Sequence, residues 1–554
     1  METQRALLAI VISFAILFGY QYFFAGFGEE QTVVQQGTGA ERSQTPSSTD
    51  VRQTPAAVQP ASPSTAVAPV VYDREPQEIT VETELFTAVI SEAGGVLKSF
   101  VLKDHKETID DDSPGMELVK NLAQQGYPLK FSWGSALSDN LLFKAQDEAV
   151  SFDGSGKAVL KMSAAAGNGL VIERIYTFDK NHYLFDLDIR IINQSDVPLQ
   201  GIAELHQVNV PYEAELKNPA SNFLFKGPVA YMNGKLHEFA AKDFKEGPKN
   251  ITGKLDWAGY ENHYFMSVIV PLGNNGQSFT MQGNEDLVKT VIAGNLDTLQ
   301  PSGQVEYKYR VLYGPKKLTM LKDAGYNLEH AVDFGWFDII AKPTLWLLNF
   351  FYGFCKNYGV AIILVTIMFK AIFWPITQKG MKSMKNMQKL QPKMVKIKEK
   401  YKSDPTRMNQ EIMALYKTYK VNPLGGCLPM ILQIPVFFAL YKVLLLSIEL
   451  RHAPFMLWIN DLSAPDRLWI GFDLPYLGGL PVLTLLMGAS MFLQQKLTPT
   501  TADPTQAKIM MFLPVIFTFM FLNFSSGLVL YWFVNNLLSI LQQVLINREK
   551  KAAA

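Results

Sequence analysis

Cysteine is almost missing from this chain. Only Cys355 and Cys427 occur in 554 residues. They lie near opposite ends of two expected membrane spans, too far apart to pair, so no disulfide framework is expected. The seven histidines are scattered without metal-ligand spacing, and neither a metal nor another cofactor is expected. There is no phosphate-cradling glycine loop, no nucleophile triad and no internal repeat of the kind many transporters carry. No catalytic residue can be named, and the chain reads as a non-enzyme. Net charge is also absent, with 51 basic and 51 acidic residues. That balance excludes no partner, because the charges are segregated along the chain.

Apolar residues fill the space, at 48% of the chain. The first run, Ala6 to Phe27, is long for a cleaved signal and lacks a small-residue cleavage site, so residues 1–27 read as a membrane anchor. Arg5 before it favours a cytoplasmic N-terminus. Residues 28–77 are rich in Gln, Thr, Ser, Pro and Ala and short of bulky apolar side chains, which predicts a disordered tether.

The pattern over 78–330 is β. Runs such as GLVIERIYTF and YLFDLDIRII alternate apolar with polar residues, and turn signals separate them at Ala93, Asp179 and Gly273. A large antiparallel β-sandwich is expected. Asp186, Asp188, Glu261 and His263 hint at a sugar-processing site, but no acid/base pair has interpretable spacing, and charged strand faces explain them better.

Residues 331–357 combine aromatics, leucines and a proline ahead of a span, and predict a helix lying on the membrane surface, with a buried connector helix as the alternative. Five apolar spans follow, at 358–378, 424–448, 479–497, 508–524 and 526–546; with the anchor they make six. Lys379 to Asn422 holds twelve Lys/Arg against three acidic residues and reads as cytoplasmic, whereas 449–478 is poor in Lys/Arg and reads as external. The β domain is then periplasmic, and the tail 547–554 cytoplasmic.

The run GVAIILVTIMFKAIFWPIT, Gly359 to Thr377, carries Lys370 at its centre. A charge there costs roughly 2.5–3.5 kcal/mol on insertion scales, so such a residue faces water or a partner unless it snorkels to the headgroups. Thr366 lies one turn away. Gln433, Asn535 and Asn536 also interrupt apolar spans. Singly each suits an interhelical hydrogen bond; together they suit a hydrophilic groove. Lys442 lies near the outer end of its span and reads as snorkelling.

The segment 379–423 predicts a helical hairpin. Met381, Met384, Met394 and Ile397 recur at helical spacing among lysines that include Lys385 and Lys396. Asp404–Pro405 starts the second helix, as N-cap and N1. The methionines suit either packing between the two helices or an adaptable surface for apolar segments.

These spans carry KVNPLGGCLPMILQIPVFFALY at Lys420, APFMLWINDLSAPD at Ala453, LTPTTADPTQAKIMMFLPVIFT at Leu497 and SSGLVLYWFVNN at Ser526. In these motifs the chain resembles the YidC/Oxa/Alb family of membrane-protein insertases, and its anchor, tether and β domain resemble the Gram-negative bacterial form. The resemblance implies a multi-domain membrane protein with an α-helical transmembrane core, a periplasmic β-supersandwich and a cytoplasmic helical hairpin. It implies location in the inner membrane and insertion of nascent membrane proteins into the lipid bilayer, alone or beside the Sec translocon. It further implies a positively charged groove, here formed by Lys370, Thr366, Gln433, Trp532, Asn535 and Asn536. Lys370 stands where the family usually has arginine, keeping the charge without the bidentate fork. The hairpin residues Met381, Met384, Lys385, Met394 and Lys396 would meet the nascent chain or the ribosome. The tail NREKKAAA is short beside the long basic tails of some members, which weakens ribosome contact through that end. Two rival readings are a secondary transporter using Lys370 as counter-ion, and a membrane-anchored periplasmic carbohydrate-binding or epimerising protein.

Overall fold

The computed structural model describes residues 74–548, except 120–124, 135–140, 148, 167, 211–224, 245–246, 274, 285, 420, 422–427, 476 and 499–503. The expected anchor and nearly all of the expected tether lie outside the described residues.

The β domain follows from strict alternation. Along Lys157–Ala165, Ala158, Leu160, Met162 and Ala164 are buried while the residues between them are exposed. Leu170–Asp179 and Leu184–Asn193 repeat this pattern and pair antiparallel with their neighbours. They belong to a nine-stranded sheet. Its spatial order is Lys235–Glu238, Gly227–Met232, Leu255–Glu261, Phe265–Pro271, Gln304–Pro315, Leu184–Asn193, Leu170–Asp179, Lys157–Ala165 and Lys144–Ala145. A four-stranded sheet (Glu78–Glu82, Phe86–Ser91, Val96–Lys106, Gly115–Val119) packs on it through aromatic contacts. Phe100 meets Phe185 at 6.4 Å and Tyr313 at 5.3 Å between ring centres. A five-stranded sheet, which includes Leu199–Asn209 and Val288–Leu299, packs beside it; there Trp133 donates to Tyr307 Oη at 2.8 Å. The fold is therefore a two-layer antiparallel sandwich with one broad face. Gly227–Met232 and Phe265–Pro271 are buried throughout, because elements cover both their faces.

The apolar run at Ile79–Ile90 makes two strands. Thr83 Oγ1 accepts from the backbone N–H of Leu85 and Phe86 and turns the chain between them.

The chain leaves the sheet through α1 (Leu318–Ala324) and enters α2 (Asp338–Cys355). α2 buries Ala341, Thr344, Leu345 and Leu348 and leaves Ile339, Trp346 and Phe354 exposed, so both of its faces carry apolar residues. Left-handed Lys356 ends it, and Asn357 caps α3 (Tyr358–Lys389) by accepting from Val360 N at 3.1 Å. α3 does not stop at the expected membrane boundary. It continues to Lys389, so Met381, Met384 and Lys385 ride on an extension of the span. Only Leu390, ahead of Pro392, breaks it. α4 (Gln391–Lys400) and α5 (Pro405–Thr418) form the hairpin, with Asp404 accepting from Arg407 N at 3.0 Å as its residue type dictates. Then come α6 (Leu428–Leu446), α7 (Val482–Leu497), α8 (Pro504–Met520) and α9 (Ser526–Arg548). α8 starts at Pro504, ahead of the expected span. Among the described residues, α3 and α9 are long and apolar enough to cross a membrane, and Leu432–Leu446 and Met510–Asn523 are shorter apolar helices.

The loop 449–478 folds back over one end of these helices. Asp466, buried, accepts from Trp458 Nε1 at 2.6 Å and from Thr484 N at 3.1 Å in the first turn of α7. Asn357 donates to Phe455 O at 2.7 Å. Gly359 lies so close to the Phe455 ring that an added Cβ would stand 2.0 Å from it, which fixes glycine there.

Candidate functional site

Lys370 lies on the face of α3 that packs against α9, and it is buried. Its Nζ donates to Ser539 Oγ at 2.7 Å and to Asn535 Oδ1 at 3.2 Å. The ammonium therefore turns into the bundle rather than snorkelling outward. Asn535 Oδ1 also accepts from Gln433 Nε2 of α6 at 3.0 Å, so one amide oxygen joins three helices. Ser539 passes the bond on to Asn535 O at 2.7 Å. Among the described residues no carboxylate pairs with Lys370. Two of its three N–H groups find neutral oxygens.

The seam between α3 and α9 continues toward the hairpin. Gln542 Nε2 donates to Thr377 Oγ1 at 2.9 Å, and both side chains are buried. Lys385 Nζ donates to Asn547 Oδ1 at 3.1 Å and sits 3.4 Å from Ile546 O, where it meets the unpaired carbonyl end of α9. A cavity of about 20 Å³ opens beside Lys370, lined by Thr366, Phe373, Gln433 and Asn535 among others. That is the room one or two waters need. In this state the site is a small pocket whose wall is mostly apolar, with Phe369, Phe373, Leu432 and Val436 around the few polar groups at Lys370.

Of the residues expected to form a groove, Lys370, Thr366, Gln433 and Asn535 meet at this cavity. Thr366 bonds back to Ile362 O at 2.6 Å and contributes a wall rather than a donor. Trp532 and Asn536 lie elsewhere. Trp532 packs into an aromatic cluster with Phe437, Phe517 and Phe521, and Asn536 donates to Ser490 Oγ of α7 at 3.1 Å. The hairpin residues also divide. Met381 and Met384 are half-buried on α3, Lys385 is tied to α9, Lys396 is exposed, and Met394 is buried with its sulfur 3.4 Å from Tyr416 Oη. Ser539, Thr377 and Gln542 escaped the sequence reading. For Ser539 and Gln542 the signal is spacing, since Asn535, Ser539 and Gln542 recur at i, i+4 and i+7; Thr377 has no such signal.

Two of the β-domain carboxylates singled out in the sequence, Asp186 and Glu261, are tied to cations of that domain. Asp186 sits 2.8 Å from Arg310, and buried Glu261 pairs with Lys316 at 2.8 Å. Burial pushes the Glu261 carboxyl up to about 7, against the opposing charge of Lys316. Burial holds His263 down to about 3.

A family model described as the 60Kd inner membrane protein matches residues 350–553, and one described as the YidC periplasmic domain matches residues 78–347. The membrane protein insertase YidC of Syntrophus aciditrophicus (strain SB) is 43% identical over 563 residues, covering 99% of each chain. The chain belongs to the YidC insertase family. The YidC insertase of Pelobacter propionicus is 42% identical, over 98% of this chain and 99% of that one. A solved active YidC insertase with its first transmembrane domain resolved aligns over 87% of this chain and 95% of that one, at 20% identity and a TM-score of 0.35. The family descriptions identify the helical core with an inner-membrane protein and the sandwich with a periplasmic domain.

Proposed function

We propose that this chain inserts nascent membrane proteins into the inner membrane, and that the pocket at Lys370 is where it receives their polar segments. The observation carrying this reading is a buried ammonium that, among the described residues, is held by neutral oxygens with no carboxylate partner. An acidic or polar segment drawn toward it crosses part of the membrane in a polar seam, and so meets a thinner apolar barrier. The membrane potential adds ~2.3 kcal/mol per elementary charge per 100 mV for an acidic residue moved outward. The pocket must widen to admit a chain. α3, α6 and α8 each contain a proline (Pro375, Pro435 and Pro514) where a helix bends at low cost.

In this reading there are six spans with both termini cytoplasmic. α4 and α5 stand in the cytoplasm to meet the nascent chain or the ribosome, and the protein works alone or beside the Sec translocon. α2 lies at the outer membrane surface. The experiment is reconstituted insertion of a small single-span substrate by purified protein, comparing acidic with neutral tails. Lys370→Arg should keep activity, Lys370→Leu should slow acidic tails selectively, and Lys370→Glu should be worst. Equal insertion of every substrate by the Leu variant and the native chain would overturn the reading.

A further inference from the structure

A second, larger cavity lies between the β domain and α2. The strands Gly227–Met232 and Lys235–Glu238 are joined by a tight turn with Asn233 and Gly234 at φ of 52° and 75°, the geometry Asn-Gly provides in a two-residue hairpin. Gly234 at its tip, with Tyr231, His330, Asp333, Asp338 and Lys342, lines a space of about 160 Å³, far more than a single water needs. The walls hold charges of both signs. Lys342 Nζ bonds Asp338 Oδ2 at 2.5 Å and has two N–H groups left. Asp333 uses one oxygen to accept from Gly335 N at 2.7 Å, and among the described residues nothing bonds its other oxygen. His330 stacks flat on Tyr231, 4.8 Å between ring centres, and forms one wall. Beside the mouth, Trp336 is 97% exposed and Ile339 is 87% exposed, the kind of side chains that sink into a lipid interface.

We propose that this cavity binds the headgroup of a zwitterionic phospholipid with a primary ammonium, of the phosphoethanolamine class. The inference rests on the placement of α2 at the outer membrane surface given above. The ammonium of the lipid donates to the free Asp333 oxygen, and the phosphate accepts from Lys342. A purely anionic headgroup leaves Asp333 facing negative charge. A quaternary ammonium cannot donate to it. Trp336 and Ile339 take the acyl chains at the mouth, so the lipid pins the β domain to the membrane through the Asn233–Gly234 hairpin.

The full-length chain in nanodiscs of phosphatidylethanolamine, phosphatidylcholine and phosphatidylglycerol tests this, with retained lipids counted by native mass spectrometry. The native protein should retain phosphatidylethanolamine over the other two. Asp333→Asn should lose about tenfold of the preference over phosphatidylcholine, which corresponds to 1.4 kcal/mol. Lys342→Gln should release all three lipids, and Lys322→Gln, on the exposed surface of α1, should change nothing. Soluble glycerophosphoethanolamine added to the native protein should shift the NMR signal of His330, whereas inorganic phosphate or ethanolamine alone should not. This second measurement stands even if a variant misfolds. Quenching of Trp336 by brominated lipid reports the placement of α2 separately. Quenching without lipid preference overturns the headgroup site alone; absence of quenching overturns both it and the surface placement.

Discussion

Arg174 in the β domain and Lys370 in the helical core are both buried cations, and their surroundings differ. Arg174 is fully buried. It donates to Leu129 O and Tyr176 Oη, each at 2.7 Å, and its guanidinium lies 5.6 Å from the Phe143 ring centre. Tyr176 in turn donates to Gly95 O at 2.5 Å, so the cation closes a network that fastens the turn at Gly94–Gly95 to the broad sheet. Lys316, by contrast, is paired with a carboxylate, Glu261. Lys370 has no carboxylate among the described residues, and its hydroxyl and amide partners can turn toward another acceptor. A charge that spends its bonds on the fold serves the fold. A charge left short of bonds is available to a visitor.

The largest expected effects test that contrast. Arg174→Leu should leave Leu129 O buried without its donor and strip the Tyr176 hydroxyl of one of its two bonds, breaking the network at about 3 kcal/mol or more of stability. Thermal unfolding of the full chain should show it, while surviving folded protein still inserts substrate. Lys370→Leu should do the reverse. It removes an expensive charge, so thermal stability should hold or rise while insertion of acidic tails falls about tenfold, the effect of 1.4 kcal/mol. The contrast breaks if Lys370→Leu unfolds the protein as readily as Arg174→Leu does.

Ser539→Ala sharpens it. The variant removes the shorter of the two bonds on Lys370 and leaves the charge free to find water, so insertion should change by a few-fold, the worth of one ordinary hydrogen bond at about 1 kcal/mol. A loss equal to that of Lys370→Leu would assign the function to the hydroxyl rather than the charge. Ser539 also shows where sequence reading stopped. Lys370 and Asn535 stood out singly against apolar neighbours, but serine in a span is unremarkable until its spacing to Asn535 and Gln542 is counted. Asn535 and Asn536 looked equivalent in sequence. A helix turns ~100° per residue, so one joins Lys370 and the other faces α7. The β-sandwich was legible from period-two alternation. The unbroken length of α3 was not, because the lysines that signal the membrane surface are also good helix formers.

Acidification separates the regions by a different route. Burial holds His263 down to about 3 and His105 down to about 4 in the folded β domain, while unfolded histidine titrates near 6.5. Below ~6.5 the unfolded chain takes up protons that these two histidines refuse, so each stabilises less as pH falls toward 4. Glu261, raised to about 7, acts in the opposite sense: its contribution falls as pH rises from its ordinary range toward 7. Glu238 and Asp188 are also pushed up by burial and act in the same sense as Glu261, so the histidines are read by difference. With unfolding followed from pH 6.5 to 5, His105→Gln should lose less stability on acidification than the native chain. An equal loss in that variant would remove His105 from the account.

The smallest expected effect lies in the extension of α3 beyond its apolar run. Met381 and Met384 are half-buried there, whereas Met394 is buried between α4 and α5. The three methionines therefore answer different questions. Met394→Ala opens a cavity in hairpin packing and should cost stability, about 2 kcal/mol or more. Met381→Ala with Met384→Ala keeps helix propensity and removes soft, polarizable surface beside Lys385, whose bond to the end of α9 holds that surface next to the polar seam. Crosslinking of early nascent chains to the hairpin should fall by a modest factor, with thermal stability within about 0.5 kcal/mol of native. If the double variant instead loses as much stability as Met394→Ala, these methionines are packing residues. The nascent chain must then meet the protein first at the exposed lysines, Lys396 among them, or at the pocket itself.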